Sequence, residues 1–160
     1  MAKSLNESDT SLKIFVDADA CPVKEETLRV ADRHGIAMSL VSNTWMRGPD
    51  HPLVERITVA EGPDAADDWI AERASKGDIV ITADIPLAAR CVEKGAKVLR
   101  PNGKPLTQDA IGMAVAVRDL SAHLRETGEI TGGPAPFTKQ DRSRFLDVLE
   151  TTVQAAKRGK

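Results

Sequence analysis

Residues 78–100 read DIVITADIPLAARCVEKGAKVLR, and their pattern decides the fold class. DIVITA (78–83) predicts a buried strand, Asp84 opens a helix through DIPLAARCVEK that Gly95 closes, and AKVLR (96–100) predicts another strand. A strand, a helix and a strand in so short a span form the repeating unit of a parallel sheet.

The alternation continues towards the N-terminus. LKIFVD (12–17) predicts a strand that ends in Asp17, and DACPVKEETLRVADRHG predicts the helix after it. Pro22 suits that helix's first turn, Glu25 and Glu26 its positive end, and Gly35 the position just past its end. IAMSLVSN (36–43) and ERITVA (55–60) predict two further strands, with a loop, TWMRGPDHP (44–52), between them. Gly62-Pro63 breaks the chain before a helix over 64–76. From Thr107 onward the pattern is helical only. One helix is predicted to about Thr127, with the stripe Ile111, Val115, Leu120 and Leu124, and another begins at the Thr138–Asp141 capping box, with the stripe Phe145, Val148, Leu149 and Val153.

The expectation is an α/β domain of three layers, α/β/α, with C-terminal helices. Its mostly parallel five-stranded sheet would use residues 12–17, 36–42, 55–60, 78–83 and 96–100, in the order 3-2-1-4-5. Residues 1–11 read as a disordered lead-in, 12–155 as a single domain and 156–160 as a basic tail. Both helical stripes are expected to pack on their own chain's core. The alternative is a homodimer that shares one stripe, with Met113, Ala114 and Ala116 extending the contact.

Composition excludes several function classes. The longest aliphatic runs, such as Ile79-Val80-Ile81, are far below the roughly 18 residues of a membrane span. The N-terminal MAKSLNESDT has no apolar segment of a secretory signal, and Cys21 and Cys91 lie in no CxxC pair, so a cytoplasmic protein with reduced thiols is expected. Aromatics are 3% of the chain, too few for an aromatic platform that stacks bases. GxGxxG, GxxxxGK[ST] and GxSxG are all absent, which removes nucleotide-fold and serine-hydrolase readings. His34, His51 and His123 lack metal-ligand spacing, with His34 expected at its helix C-terminus. Cys21 reads as a small packed residue.

Charge and carboxylates carry the functional signal. Residues 1–80 hold 9 basic and 15 acidic side chains and residues 81–160 hold 13 and 9, which reads either as a random surface mix or as an acidic site faced by phosphate-attracting Arg and Lys from the other half. Ligands of open α/β sheets bind beyond the carboxyl ends of the strands. That edge would receive Asp17 and Asp19 after strand one, Asn43 after strand two, and Thr82 with Asp84 after strand four. Asp64, Asp67 and Asp68 open the helix after strand three. Helix capping alone explains an aspartate at 64 or 84. Asp17 with Asp19 is harder to dismiss, since two like charges about 4 Å apart repel by roughly 4 kcal/mol at an effective dielectric near 20. An all-oxygen cluster relieved by a cation selects Mg²⁺ or Mn²⁺.

The blocks IFVDADACPVKEE, EGPDAADDWIAERA, IVITADIPLAARCVEKGAKVL and RDLSAHLRETGEITGGPAPF, in this order, resemble the bacterial YaiI/YqxD family from about Lys13 to about Leu149. That family belongs to the PIN-like group related to NYN nucleases, so the resemblance implies a PIN-like fold and, by analogy, a metal-dependent nuclease. Carried over, the PIN-like acids fall on Asp17, on Asp64 with Asp67 or Asp68, and on Asp84, with Asp19 as an extra acid and Thr82 as the hydroxyl residue at the fourth strand end. The separate helical glutamate of many PIN nucleases has no match, and Glu25 and Glu26 are nearest.

The leading expectation is thus a Mg²⁺- or Mn²⁺-dependent phosphodiesterase acting on RNA or another nucleic acid, with Asp17 and Asp84 central. Arg47, Arg90, Lys94, Lys104 and Arg118 are the candidates for phosphate contact. A pI near 5.9 argues against broad, tight, non-specific binding. A haloacid-dehalogenase-type phosphatase, with Asp17 as nucleophile and Asp19 as general acid, and a non-catalytic PIN-like module binding RNA or a protein are the alternatives.

Overall fold

Five short aliphatic runs become the strands β1 (Lys13–Asp17), β2 (Ala37–Ser42), β3 (Val54–Thr58), β4 (Ile79–Ile81) and β5 (Lys97–Leu99). The structure is a computed structural model and describes residues 12–18, 21–43, 51–59, 64–116 and 137–158. All strand pairings are parallel, in the order β3-β2-β1-β4-β5, which is the order expected from the sequence. The register sets Leu40, Val16, Ile81 and Leu99 in one row across the sheet. All four are at most 3% exposed.

Side chains alternate between the two faces of each strand, so the two halves of the core follow from the register. Ile14, Val16, Met38, Leu40, Ile79, Ile81 and Leu99 face α1 (Lys24–His34) and α5 (Lys139–Lys157). Phe15, Val41, Val80 and Val98 face α2 (Ala65–Arg73), α3 (Ile85–Glu93) and the helical residues 108–116 (α4). The result is the expected three-layer α/β/α arrangement.

Local chemistry places the helix ends. Gly35, at φ +68°, closes α1 and donates its backbone N–H to Asp32. The Thr138 hydroxyl accepts from the Asp141 N–H at 3.1 Å while the Asp141 carboxylate accepts from the Thr138 N–H at 2.9 Å, the reciprocal cap expected for α5. On α5, Phe145, Leu149 and Val153 are fully buried against the sheet, so this stripe covers its own chain's core. The helix runs on to Lys157, which the sequence reading assigns to a basic tail.

The strands and α2 are shorter than expected, most of all around the α2–β4 turn. α2 stops at Arg73 and β4 starts at Ile79, because Asp78 serves the turn between them. Its carboxylate, 5% exposed, accepts from Ser75 N–H and Lys13 N–H at 3.0 Å and from the Ser75 hydroxyl at 3.2 Å. A charged group so buried needs these donors, and they tie the α2–β4 turn to the start of β1.

Val115 needs a correction. Ala110, Ile111 and Ala114 pack against the core, whereas Met113 and Val115 are 68% and 43% exposed. At about 100° per residue, a buried face centred on 110, 111 and 114 leaves 113 and 115 on opposite flanks, about 90° or more away. The rest of this predicted helix, with Leu120 and Leu124, and the lead-in lie outside the described residues. Among the described residues, no helix is long and apolar enough to cross a membrane.

Candidate functional site

The sheet order reverses between β1 and β4, so the carboxyl ends of these adjacent strands flank a crevice. Asp17 is the last residue of β1, and Thr82 follows directly on β4 with only 2% exposure. The Thr82 hydroxyl donates to Asp17 Oδ2 at 2.8 Å and accepts the Asp84 backbone N–H at 3.0 Å. One hydroxyl therefore fixes the spacing of the two strand ends and the rotamer of Asp17. Asp84 caps α3, its Oδ1 accepting the Leu87 N–H at 2.8 Å. Capping thus explains one oxygen of Asp84 and fixes the carboxylate at the carboxyl end of β4.

Asp67 joins from α2. Its carboxyl is pushed up from the usual 3.8 to about 6, first by burial and then by the negative charges of Asp84, Asp17 and Asp64, against a smaller opposing effect of Arg90. Three elements thus place Asp17, Asp84 and the exposed Asp64 where their charges act on Asp67. Asp64 occupies the N-cap position of α2 but its side chain makes no capping hydrogen bond. Ala66, Ile70 and Ala71 pack α2 on the sheet, and this sets its rotation.

Other residues expected at the site go elsewhere. Asp68 pairs with Arg90 at 2.7 Å, which ties both to each other at the α2–α3 surface. The Lys94 ammonium donates to the Ala71 carbonyl. Asn43 follows β2 on the same carboxyl edge, half-buried. Lys104 is exposed in the turn after β5. Asp19, Arg47 and Arg118 lie outside the described residues. His34, not a site residue, ends α1 at the helix C-terminus as expected, and its Nε2 also lies 2.8 Å from Glu150 of α5. Burial pushes the Cys21 thiol up, which suits a packed residue and not a thiolate nucleophile.

The all-oxygen donor chemistry of Asp17, Asp67 and Asp84 suits a hard divalent cation, and their mutual repulsion is what such an ion relieves. Among the described residues, no three His, Cys, Asp or Glu side chains are arranged to hold a metal ion. The chemistry fits, and binding would need the carboxylates to draw together.

Sequence reasoning missed Arg100. It follows β5 on the same edge of the sheet as Asp84, since the Thr82 N–H bonds the Leu99 carbonyl at 3.0 Å. A lone arginine after a strand has no motif around it, and only the strand order would have drawn attention to it.

Residues 15–155 match the family model described as "Uncharacterized BCR, YaiI/YqxD family". A protein named UPF0178 protein from Nitrobacter winogradskyi is 58% identical over 149 residues, 93% of this chain and 95% of that one. Another UPF0178 protein, from Parvibaculum lavamentivorans, is 62% identical over 146 residues, covering 91% and 96%. One from Rhodopseudomonas palustris is 61% identical over 142 residues, 89% of this chain and 87% of the relative. No solved structure matches the chain.

Proposed function

The chain belongs to the YaiI/YqxD family, and on that premise we propose that it is a Mg²⁺- or Mn²⁺-dependent phosphodiesterase of the PIN-like kind, acting on RNA or another nucleic acid. The observation that supports the reading is that Asp17 and Asp84 end adjacent strands at the β1–β4 switch point, with Asp67 nearby on α2, its carboxyl pushed up to about 6 by burial and then by the charges of Asp84, Asp17 and Asp64. Their placement, after strand one, on a middle helix and after strand four, is the order that the PIN-like resemblance implies.

A divalent ion bound there would supply a Lewis acid for the phosphoryl group and an activated water. The chain's own residues prepare the site. Thr82 holds Asp17 in one rotamer through a hydroxyl that is itself anchored by the Asp84 N–H. Burial, with the charges of Asp84, Asp17 and Asp64, pushes the Asp67 carboxyl up to about 6, so a divalent ion held there would compete with its proton and its occupancy would depend on pH. Cys21 and Cys91 are buried free thiols, which supports work in the reducing cytoplasm.

The test is cleavage of a 5′-labelled single-stranded RNA in Mn²⁺ by the wild type, Asp17→Asn and Asp84→Asn. Asparagine caps a helix as well as aspartate does, so the second variant keeps α3 intact. Both variants should lose at least 100-fold in rate. A wild type that cleaves no nucleic acid, or variants that cleave equally well, would sink the reading. The absence of three converged ligands among the described residues favours one rival, a binding module without turnover. It predicts RNA retention with no cleavage.

A further inference from the structure

Ile85, the residue after Asp84, forms one wall of a cleft of about 580 Å³ whose other walls include Arg100, Lys104, Leu106, Ala110 and Met113. The volume lies within the roughly 300–1,000 Å³ usual for small-molecule sites. The lining is mainly apolar, with two cations at one side. Those cations sit on a rigid turn. The Arg100 N–H bonds the Lys104 carbonyl at 2.9 Å, the Gly103 N–H bonds the Arg100 carbonyl at 2.8 Å, and Leu99 bridges Pro105. Gly103, buried at φ +89°, lies against the backbone of α5, where a Cβ would meet Arg144 and Phe145 at 2.8 Å. Arg144 also donates to the Asn102 carbonyl at 3.3 Å.

Arg100 differs from most other arginines of the described residues. Arg33, Arg73, Arg90, Arg142 and Arg144 each face a carboxylate. Among the described residues neither Arg100 nor Lys104 has one, and Arg100 Nε is buried without a hydrogen-bond partner. A half-buried arginine whose Nε is unpartnered beside an open apolar cleft suits an anion joined to an apolar or flat group.

We infer that this cleft seats one unpaired nucleotide of a single-stranded nucleic acid. Arg100 and Lys104 take the phosphate next to the one presented to the carboxylates, and the apolar wall with Met113 packs against the base. The inference rests on the phosphodiesterase reading and narrows its substrate to single strands. In a duplex the bases are paired and stacked and none can enter a concave pocket, whereas a single strand splays its bases out. Met113, 68% exposed, offers a polarisable thioether where the chain lacks aromatics.

The experiment is fluorescence anisotropy of a short fluorescein-labelled single-stranded RNA in EDTA, so that binding is read without cleavage. Wild type should bind, and an unlabelled duplex of equal length should fail to compete. Arg100→Ala with Lys104→Glu should weaken binding at least tenfold at low salt. It should also flatten the dependence of log K on log salt by about 0.7, the contribution of one neutralised phosphate on a single strand. Lys104→Glu alone, at an exposed residue, keeps the fold and should show about half that change. Arg33→Ala, on the opposite face, should bind like wild type. Equal binding by the double variant, equal competition by duplex, or no binding by wild type overturns the inference. Cleavage of the same RNA in Mn²⁺ separates the two claims. Cleft-dependent binding without cleavage refutes the phosphodiesterase alone, and Asp84-dependent cleavage with cleft-independent binding refutes the cleft alone.

Discussion

Asp67→Asn should stabilise the metal-free protein, and only above the titration of the carboxyl it removes. Asp67 rises from 3.8 to about 6 through burial and the neighbouring charges of Asp84, Asp17 and Asp64. Between those two values the folded chain binds more protons than the unfolded one, so stability falls as pH rises through about 4 to 6 and stays low above. Taken at full value the interval is worth about 3 kcal/mol. Much of the carboxyl is open to water, and solvent screening reduces this to about 1–2 kcal/mol. For a domain of this size that corresponds to a rise of about 2–8 °C in Tm. Asparagine resembles the protonated acid, so the gain should be absent at pH 4 and complete at pH 7.5. Thermal melts in EDTA across this range measure it, and Mn²⁺ should stabilise the wild type and narrow the gap. A gain of equal size at both pH values, or a loss at pH 7.5, would show that Asp67 does not share a field with the other carboxylates.

Thr82→Val keeps the shape but removes the hydroxyl that joins Asp17 to the Asp84 N–H, and should cost about 1–3 kcal/mol in urea unfolding; an unchanged midpoint would mean that water replaces it. Gly103→Ala combines a positive φ with a Cβ 2.8 Å from backbone, so it should cost about 1–3 kcal/mol. It should also weaken RNA binding by displacing Arg100, whereas a variant as stable as wild type would mean that the turn moves freely. Val115→Asp should change stability by less than about 0.5 kcal/mol, because Val115 faces outward. Sedimentation on the same variant is the check on a shared helix face, since dissociation of a dimer would show a second copy seated there.

Strands β1, β4 and β5 were legible because each is a run of aliphatic residues ended by residues that favour a turn or cap. The strand order then placed Asp17 and Asp84 together, as strand-end positions allow. The three aspartates of α2 were not separable. Asp64 lies one turn from both Asp67 and Asp68, and only the packing of Ala66, Ile70 and Ala71 turns Asp67 to the sheet edge and Asp68 to Arg90. Val115 was misread for a related reason. A spacing of four from Ile111 suits two neighbouring helix faces, and the contact made by Ala110 and Ala114 chooses between them. Arg100 and Asp78 were silent because their roles depend on partners far along the chain, α5 behind Gly103 in one case and β1 in the other.

The most direct measurement of the central claim is a crystal of the protein soaked in Mn²⁺ and examined at the manganese absorption edge. The account predicts one strong anomalous peak within about 2.0–2.4 Å of carboxylate oxygens from Asp17, Asp84 and Asp67, absent in Asp17→Asn. Manganese that binds only elsewhere, or a crevice between β1 and β4 that stays empty at saturating Mn²⁺ while the carboxylates keep their separate hydrogen bonds, would contradict it.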